Sequence, residues 1–246
     1  KKIILLAGPT ASGKSKLAIQ LAKKMKGEII NADSMQVYKE FSILSSKPDN
    51  LELKEVKHHL YGFVSVKENF SAGDWLKKTK TIIKLCLKKK KIPIIIGGTG
   101  LYFNTITKGI SKIPNIDTKT RNKVRSLFKK LGQVKFYEKL LEIDPKVKDK
   151  ILYTDSQRAQ RAYEVIIKTK KSLFDWMSNT KSDFVDYDIK KIFIKIPKEE
   201  LLKKISKRTE TMFKNKCVEE VKKFNTLKLN KSLSANKLIG VQEINS

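Results

Sequence analysis

The first 112 residues alternate between short apolar runs and longer runs in which apolar residues recur at helical spacing. Residues 3–6, 28–32 and 92–96 are short and rich in β-branched side chains, which predicts buried strands. Residues 58–66 predict a further extended segment. Helical spacing is clearest in Leu17, Ala18, Leu21 and Ala22 and again from Trp75 to Cys86. This order predicts an α/β fold with a parallel sheet.

From residue 113 the pattern changes, because consecutive helical segments replace the strand-like runs. Asp117, Asp144 and Asp155 each precede such a segment as a capping residue, and Gly132 ends the first one. Residues 192–196 predict a return to the sheet, followed by a long helix over 199–213. We therefore predict a catalytic α/β core from residues 1–112 and 189–246, with residues 113–188 inserted as a helical domain.

A phosphate-binding loop is predicted between the first strand and the first helix. Residues 8–15 read GPTASGKS and fit the pattern G-x-x-x-x-G-K-[ST]. Backbone N–H groups of such a loop and the helix N-terminus bind anions, Lys14 reaches the terminal phosphate, and Ser15 can hold Mg²⁺. The fold class is thus a P-loop NTPase-like parallel sheet core with an inserted helical domain. Its predicted diphosphate-binding residues are Gly8, Pro9, Thr10, Ala11, Ser12, Gly13, Lys14 and Ser15.

Two other predicted strands also end in residues that suit a ligand site. Asp33 follows the second strand, and Gly97-Gly98-Thr99-Gly100 follows the third. Ligands of parallel α/β sheets bind at this edge. A carboxylate there can serve as a general base or a metal ligand, although a lone Asp-Ser pair is also typical of an Asx turn. The third strand lacks the acid that a motor ATPase would place there, and its glycines and threonine suit a second anionic group.

The charge of the chain suits a polyanionic partner. Its net charge is +29, yet only five of its 54 basic residues are arginine. A lysine-rich surface alone explains much of this charge, so each arginine is the more informative residue.

Neither a zinc site nor a membrane span is expected. Cys86 and Cys217 belong to no metal-binding pattern and are predicted to be reduced thiols, and the adjacent His58 and His59 have no third ligand in view. No apolar run approaches the length of a membrane span, so we expect a cytoplasmic protein with no membrane contact. The chain does not begin with Met and ends within a predicted element, which suggests a trimmed fragment.

Four segments in this order resemble the bacterial tRNA dimethylallyltransferase family, also called the tRNA isopentenyltransferases. They are GPTASGKS at 8–15, DSMQVY at 33–38, GGTGLY at 97–102 and DSQRAQRAYEV at 155–165. The resemblance implies transfer of a dimethylallyl group from dimethylallyl diphosphate to the exocyclic amine of the adenine 3′-adjacent to the anticodon. Its partner would be the tRNA anticodon stem-loop, its cofactor Mg²⁺ at Ser15, and we expect a monomer. Many members read Gly-Tyr where this chain has Gly240-Val241.

The resemblance also implies roles for individual residues. Asp33 would be the general base, while Thr99 and Arg208 would contact the transferring or leaving group, which makes these three the expected catalytic residues. Contacts with tRNA are implied for two segments. Their residues are Asp33, Ser34, Met35 and Gln36 in the first, and Gln157, Arg158, Ala159, Gln160 and Arg161 in the second.

Three other functions remain open from the residues alone. A prenyltransferase acting on free adenosine nucleotides would share the loop and the base but would not need the Gln/Arg segment. A small-molecule P-loop kinase would turn over ATP and would not need so large an insertion. A non-catalytic RNA-binding P-loop protein would not need Asp33, Thr99 and Arg208 together. An exposed Gln/Arg row is also typical of an ordinary solvated surface.

Overall fold

The computed structural model describes residues 1–230 and 233–246. Its chain forms two compact units, one of residues 1–107 with 184–246 and one of residues 108–183. The second unit corresponds to the predicted insertion at 113–188, shifted five residues earlier at both ends. None of the helices in the described ranges is long and apolar enough to cross a membrane.

The first unit contains a five-stranded parallel sheet. Its strands are β1 (Lys2–Ala7), β2 (Gly27–Asn31), β3 (His58–His59), β4 (Ile92–Gly97) and β5 (Asp188–Phe193). The strand order is β3-β2-β4-β1-β5, so β2, β4 and β1 are adjacent. Parallel strands end at the same edge of a sheet, and this order therefore brings the segments after β1, β2 and β4 side by side.

Helices cover both faces of this sheet. They are α1 (Lys14–Met25), α2 (Asn50–Glu55), α3 (Ala72–Lys88) and α4 (Gly100–Thr107). Alternate residues of β1 point to opposite faces: Ile4 packs in a cluster with α1, whereas Ile3 packs with α3 and α4. Because both faces are buried, β1, β2 and β4 carry the continuous apolar runs that the sequence shows.

The outer strands differ from the prediction. The last strand was predicted over 192–196, but β5 begins four residues earlier because it pairs along the whole of β1, from Lys2↔Asp188 to Ala7↔Phe193. Residues 58–66 were predicted as extended, and only the first two belong to the sheet; Val64 forms an isolated bridge with Tyr38.

The first unit ends in helices that pack against the chain segment after β2. They are α8 (Lys198–Lys214), α9 (Cys217–Asn225) and α10 (Val241–Asn245). Val37, Phe41 and Leu44 form an apolar cluster with Val221 and Phe224 of α9. By contrast, none of the residues of α8 is buried.

The second unit is helical, with α5 (Thr118–Ile143), α6 (Ser156–Thr169) and α7 (Leu173–Ser178). Gly132, with φ 72°, interrupts α5 as its sequence predicted, but the two helical segments join directly. The helix predicted from Asp144 is only a 3₁₀ turn at Pro145–Val147. The cap predicted at Asp155 is confirmed, since Arg158 N donates to its Oδ1 at 2.9 Å.

Candidate active site

The loop between β1 and α1 has the backbone of an anion-binding site. Ala11 and Gly13 both adopt left-handed conformations, with φ 56° and 83°. Gly13 caps α1 without a side-chain hydrogen bond, and the first turn of α1 contains no acidic residue. The first N–H groups of the helix, which have no partner within it, are therefore available to an anion. At Gly8 a Cβ atom would lie 3.2 Å from Ser12 Oγ, which keeps this position small.

Lys14, Asp33 and Arg208 interact electrostatically in this site. The Lys14 ammonium donates to the carbonyl of Pro9 and lies 3.5 Å from Ser12 Oγ. Burial lowers the pKa of Lys14, Asp33 opposes this effect, and Arg208 adds to it. Burial also lowers the pKa of the Arg208 guanidinium, and Asp33 again raises it. One carboxylate thus shares the site with two partly desolvated cations, which suits an anionic ligand next to a proton acceptor.

Asp33 is held by Asn31, a fully buried residue at the end of β2. Asn31 Oδ1 accepts from Asp33 N at 2.8 Å, and Asn31 Nδ2 donates to Asp33 O and Leu60 O, each at 3.0 Å. Asp33 Oδ1 in turn accepts from Met35 N at 2.9 Å, which is the Asx turn considered from the sequence. Asn31 was not predicted as a site residue, although a polar residue directly after Ile29 and Ile30 at the end of a strand was a usable signal.

Gly97 brings the segment after β4 against the segment after β2. A Cβ at Gly97 would lie 2.1 Å from Ala32 O, so no other residue fits without a backbone shift. This close approach lets Thr99 N donate to Ala32 O at 3.2 Å, and Thr99 Oγ1 accepts from Ser34 N at 2.9 Å. The structure therefore places Thr99 beside the Asp33-Ser34 turn, as the shared sheet edge predicted.

A cavity of about 770 Å³ within the first unit adjoins Arg208. Lys47, Tyr61 and Met212 line it as well. Burial raises the pKa of the Tyr61 phenol, and the negative charge of Asp33 adds to this rise. Lys47 and Tyr61 had no recognisable signal in the sequence, because they enter the site through loop geometry.

The second predicted tRNA-contacting segment lies at the start of α6, in the helical unit. Gln157 and Arg158 are exposed, while Gln160 and Arg161 are partly buried. The two arginines contact carboxylates of their own helix region, Asp155 and Glu164. Ala159 is only 2% exposed and belongs to the apolar core of the unit, and the contact of this segment with tRNA stays a prediction.

Glu28, His59 and Cys86 form a cluster that the sequence did not predict. Their ligand atoms lie within 4.8 Å of one another, so a metal ion could bind to them. The sequence had indicated no metal-binding pattern for Cys86. Their hydrogen bonds join these groups directly, since His59 Nε2 lies 2.7 Å from Glu28 Oε2 and the Cys86 thiol donates to the same oxygen at 3.6 Å. Burial and Glu28 raise the pKa of this thiol to about 12, which keeps it protonated.

The parallel sheet, the loop at 8–15 and the charged groups at one sheet edge define an α/β protein of the P-loop class. A family model described as IPP transferase matches residues 36–246. The tRNA dimethylallyltransferase of Pelagibacter ubique is 54% identical over 243 residues, which cover 99% of this chain and 78% of that protein. That of Rickettsia felis is 40% identical over 245 residues, covering 99% and 79%. The chain therefore belongs to the IPP transferase family.

Two solved structures agree with this assignment. A tRNA isopentenylpyrophosphate transferase from Bacillus halodurans superposes with a TM-score of 0.67 at 27% identity, covering 99% of this chain and 76% of that one. A eukaryotic dimethylallyltransferase acting on tRNA gives a TM-score of 0.80 at 28% identity, covering 96% of this chain and 59% of that one. The predicted family, fold class and enzyme class, a prenyltransferase that modifies tRNA, are confirmed.

Proposed function

We propose that this chain transfers the dimethylallyl group of dimethylallyl diphosphate to the exocyclic amine of the adenine 3′-adjacent to the anticodon in tRNA, releasing diphosphate. One observation carries the proposal at the level of residues: Asp33 shares one electrostatic site with Lys14 and Arg208, at the sheet edge where the phosphate-binding loop begins. A proton acceptor and two cations for a leaving group are what this reaction needs.

The donor would bind through its diphosphate. The first turn of α1 contains no acidic residue to compete for the backbone N–H groups of the loop, and Lys14 and Arg208 supply positive charge. When the C–O bond to the diphosphate breaks, negative charge develops on the leaving oxygen, and these groups stabilise it.

Mg²⁺ is the cofactor we propose, because it prefers oxygen ligands and phosphate. Ser15 would hold it, since its hydroxyl lies exposed in the first turn of α1, next to Lys14. When bound there, the ion would neutralise part of the diphosphate charge.

The acceptor amine would attack the allylic carbon while Asp33 receives its proton. A new N–C bond forms, the C–O bond to diphosphate breaks, and the proton lost by the amine goes to the Asp33 carboxylate. The Asx turn occupies Oδ1 of Asp33, so we assign the proton transfer to Oδ2. Thr99 would contact the transferring group from the neighbouring segment, with its hydroxyl oriented by Ser34 N.

The RNA would be held by two sets of residues. Ser34, Met35 and Gln36 continue directly from Asp33 and are partly exposed. The exposed residues of α6, led by Arg158, would contact the anticodon stem-loop, because guanidinium groups bind phosphate in a bidentate manner. A target base in a loop is unstacked more easily than one in a duplex, which suits chemistry on adenine. We propose that the enzyme acts in the cytoplasm as a monomer.

The test is single-turnover transfer from labelled dimethylallyl diphosphate, with unmodified tRNA and AMP as separate acceptors. We expect transfer to tRNA and none to AMP. Asp33→Asn keeps an oxygen for the Met35 N–H bond but removes the base, so the rate should fall by about 10² to 10⁴, the usual effect of general-base catalysis.

The exposed Asp186 provides the matched control, and Asp186→Asn should leave the rate unchanged. Transfer to AMP in preference to tRNA would favour the free-nucleotide prenyltransferase. ATP hydrolysis without transfer would favour the kinase. A rate for Asp33→Asn within a few-fold of the parent would reject Asp33 as the base.

A further inference from the structure

The loop at residues 41–47 is fixed by a carboxylate from a distant part of the chain. Glu220 Oε1 accepts from Ser42 N at 2.6 Å and from Ile43 N at 2.9 Å, while Oε2 accepts from Leu44 N at 3.0 Å. One side chain thus binds three consecutive backbone N–H groups of a segment with no helix or strand of its own. Hydrogen bonds to an ionised acceptor are stronger than neutral ones.

Glu220 is held in position by its place in the helix and by packing beside it. It lies in the first turn of α9, where a negative charge is favoured by the helix dipole. The turn before α9 contains Lys216 in a left-handed conformation, with φ 66°, and supplies no side-chain cap. Val221, the next residue, is fully buried in the cluster that also contains Leu44, so packing holds the same two segments together.

The fixed loop is joined to the acceptor side of the candidate site by side-chain hydrogen bonds. Gln36 Nε2 donates to Ser45 O and Ser46 O, each at 2.9 Å. Lys47 Nζ donates to Tyr38 O and Lys39 O, each at 2.9 Å. Gln36 is three residues from Asp33, so a shift of the loop would be passed to the segment that begins at the proposed base.

The loop also forms a wall of the cavity beside Arg208. Ser42, Ile43, Ser46 and Lys47 line this cavity, whereas Glu220 does not. Glu220 therefore lies behind the wall: it accepts hydrogen bonds from backbone N–H groups of the wall, and its negative charge also acts on Lys47.

We propose that Glu220 is a positioning residue, which holds the 36–47 loop in the conformation that receives the acceptor RNA. The proposal rests on the proposed function, because the acceptor is assigned there. The proposal adds α9 to the elements that serve the reaction, although Glu220 lies 178 positions after its partner Ser42 in the chain.

The experiment compares Glu220→Gln with Glu219→Gln. Gln keeps one acceptor oxygen but places an amide N–H₂ against a backbone donor, so at least one of the three hydrogen bonds is lost. Glu219 lies in the same first turn of α9 but is exposed, which makes it the matched control for charge. Glu220→Asp keeps the charge with a shorter reach and should behave in between.

We expect Glu220→Gln to lower kcat/KM for tRNA by about ten- to a hundred-fold, the usual size of losing a positioning contact. The affinity for dimethylallyl diphosphate, measured by calorimetry, should stay within two-fold of the parent. Amide hydrogen exchange at Ser42, Ile43 and Leu44 should accelerate in Glu220→Gln and not in Glu219→Gln. A purely structural role would instead lower donor affinity and thermal stability together, with no selective effect on tRNA.

The outcomes separate this inference from the proposed function. If the parent does not transfer the dimethylallyl group, the proposed function fails, and binding of the anticodon stem-loop still tests Glu220. Weakened binding with faster exchange at residues 42–44 supports the positioning role. Unchanged kcat/KM and unchanged stem-loop affinity, with or without faster exchange, would overturn it, as would an equal effect of Glu219→Gln.

Discussion

Replacing Asn31 by Ala should damage both the stability of the first unit and the rate of transfer. The side chain is fully buried and makes three hydrogen bonds, one accepted from Asp33 N and two donated to Asp33 O and Leu60 O. Each typical hydrogen bond contributes about 1 kcal/mol net, so we expect a loss of about 3 kcal/mol in the free energy of unfolding. Water cannot readily replace the lost partners at a site with 0% exposure.

The same change should release the turn that carries Asp33. Asn31 binds both backbone groups of Asp33, so its loss removes two of the hydrogen bonds that fix where the carboxylate points. A misplacement of about 1 Å at a reacting group can reduce a rate by about 10²-fold. We therefore expect single-turnover transfer to fall by roughly that factor at saturating donor and tRNA.

Urea unfolding and single-turnover kinetics measure the two effects separately. The urea midpoint should fall with an unchanged m-value, which shows that stability changed rather than the compactness of either state. Asn122, an exposed residue of α5, serves as the control, and Asn122→Ala should change stability by no more than about 0.5 kcal/mol. A stability loss of less than about 1 kcal/mol would refute the hydrogen-bond argument. A full stability loss with an unchanged rate would refute the positioning of Asp33.

Three further predictions concern charge and thiol chemistry. Changing Arg158 and Arg161 together to Ala should weaken tRNA binding and reduce the slope of log K against log salt by close to two units, because each phosphate contact contributes about 0.9. An unchanged slope would mean that these side chains are solvated and make no contact with phosphate. Burial would raise the pKa of Glu28, but the hydrogen bond from His59 and the charges of His59 and Lys57 lower it below 4.5, so the ionised carboxylate adds stability above pH 4.5 that is lost as the pH falls further. In thermal unfolding, the stability advantage of the parent over Glu28→Gln should shrink below that pH. A constant advantage would contradict the reasoning. The pKa of Cys86 is raised to about 12, so only about 10⁻⁴ of this thiol is ionised at pH 8, and Cys86 and the buried Cys217 should react with a thiol reagent only on unfolding. Rapid labelling of the folded protein would disprove this.

Signals that lie within a few residues of one another were readable from the sequence. The order of strand, loop and helix around residues 8–15 is local, and the structure has each element in that place. Ser71 and Asp74 are three positions apart and form a capping box, with Asp74 N donating to Ser71 Oγ at 3.2 Å and Ser71 N donating to Asp74 Oδ2 at 3.0 Å. Such signals are reliable because the physical partners are neighbours in the chain.

Features that depend on long-range pairing were not readable. The Glu28, His59 and Cys86 cluster exists because three segments meet on one face of the sheet, and no spacing in the sequence reveals that register. The same holds for Glu220, because its partners are backbone N–H groups, which every residue except proline has, so the side chains in the loop give no hint of the contact. The start of β5 was misplaced because Asp188 and the Lys190-Lys191 pair are polar, so the apolar run in the sequence begins only at Ile192.

The exposure of α8 has a consequence for how ligand binding and order are connected. This helix has 17 residues, none of them fully buried, so its stability depends on the packing of partly buried residues such as Met212 against the apolar cluster after β2. Where that packing is lost, Arg208 leaves the site with the helix. An anion that binds Arg208 in the ordered helix but not in the frayed one stabilises the ordered helix, and fraying in turn weakens the apparent affinity for that anion. The affinity for diphosphate and the helical population of residues 198–214 are thus two measures of a single coupled equilibrium.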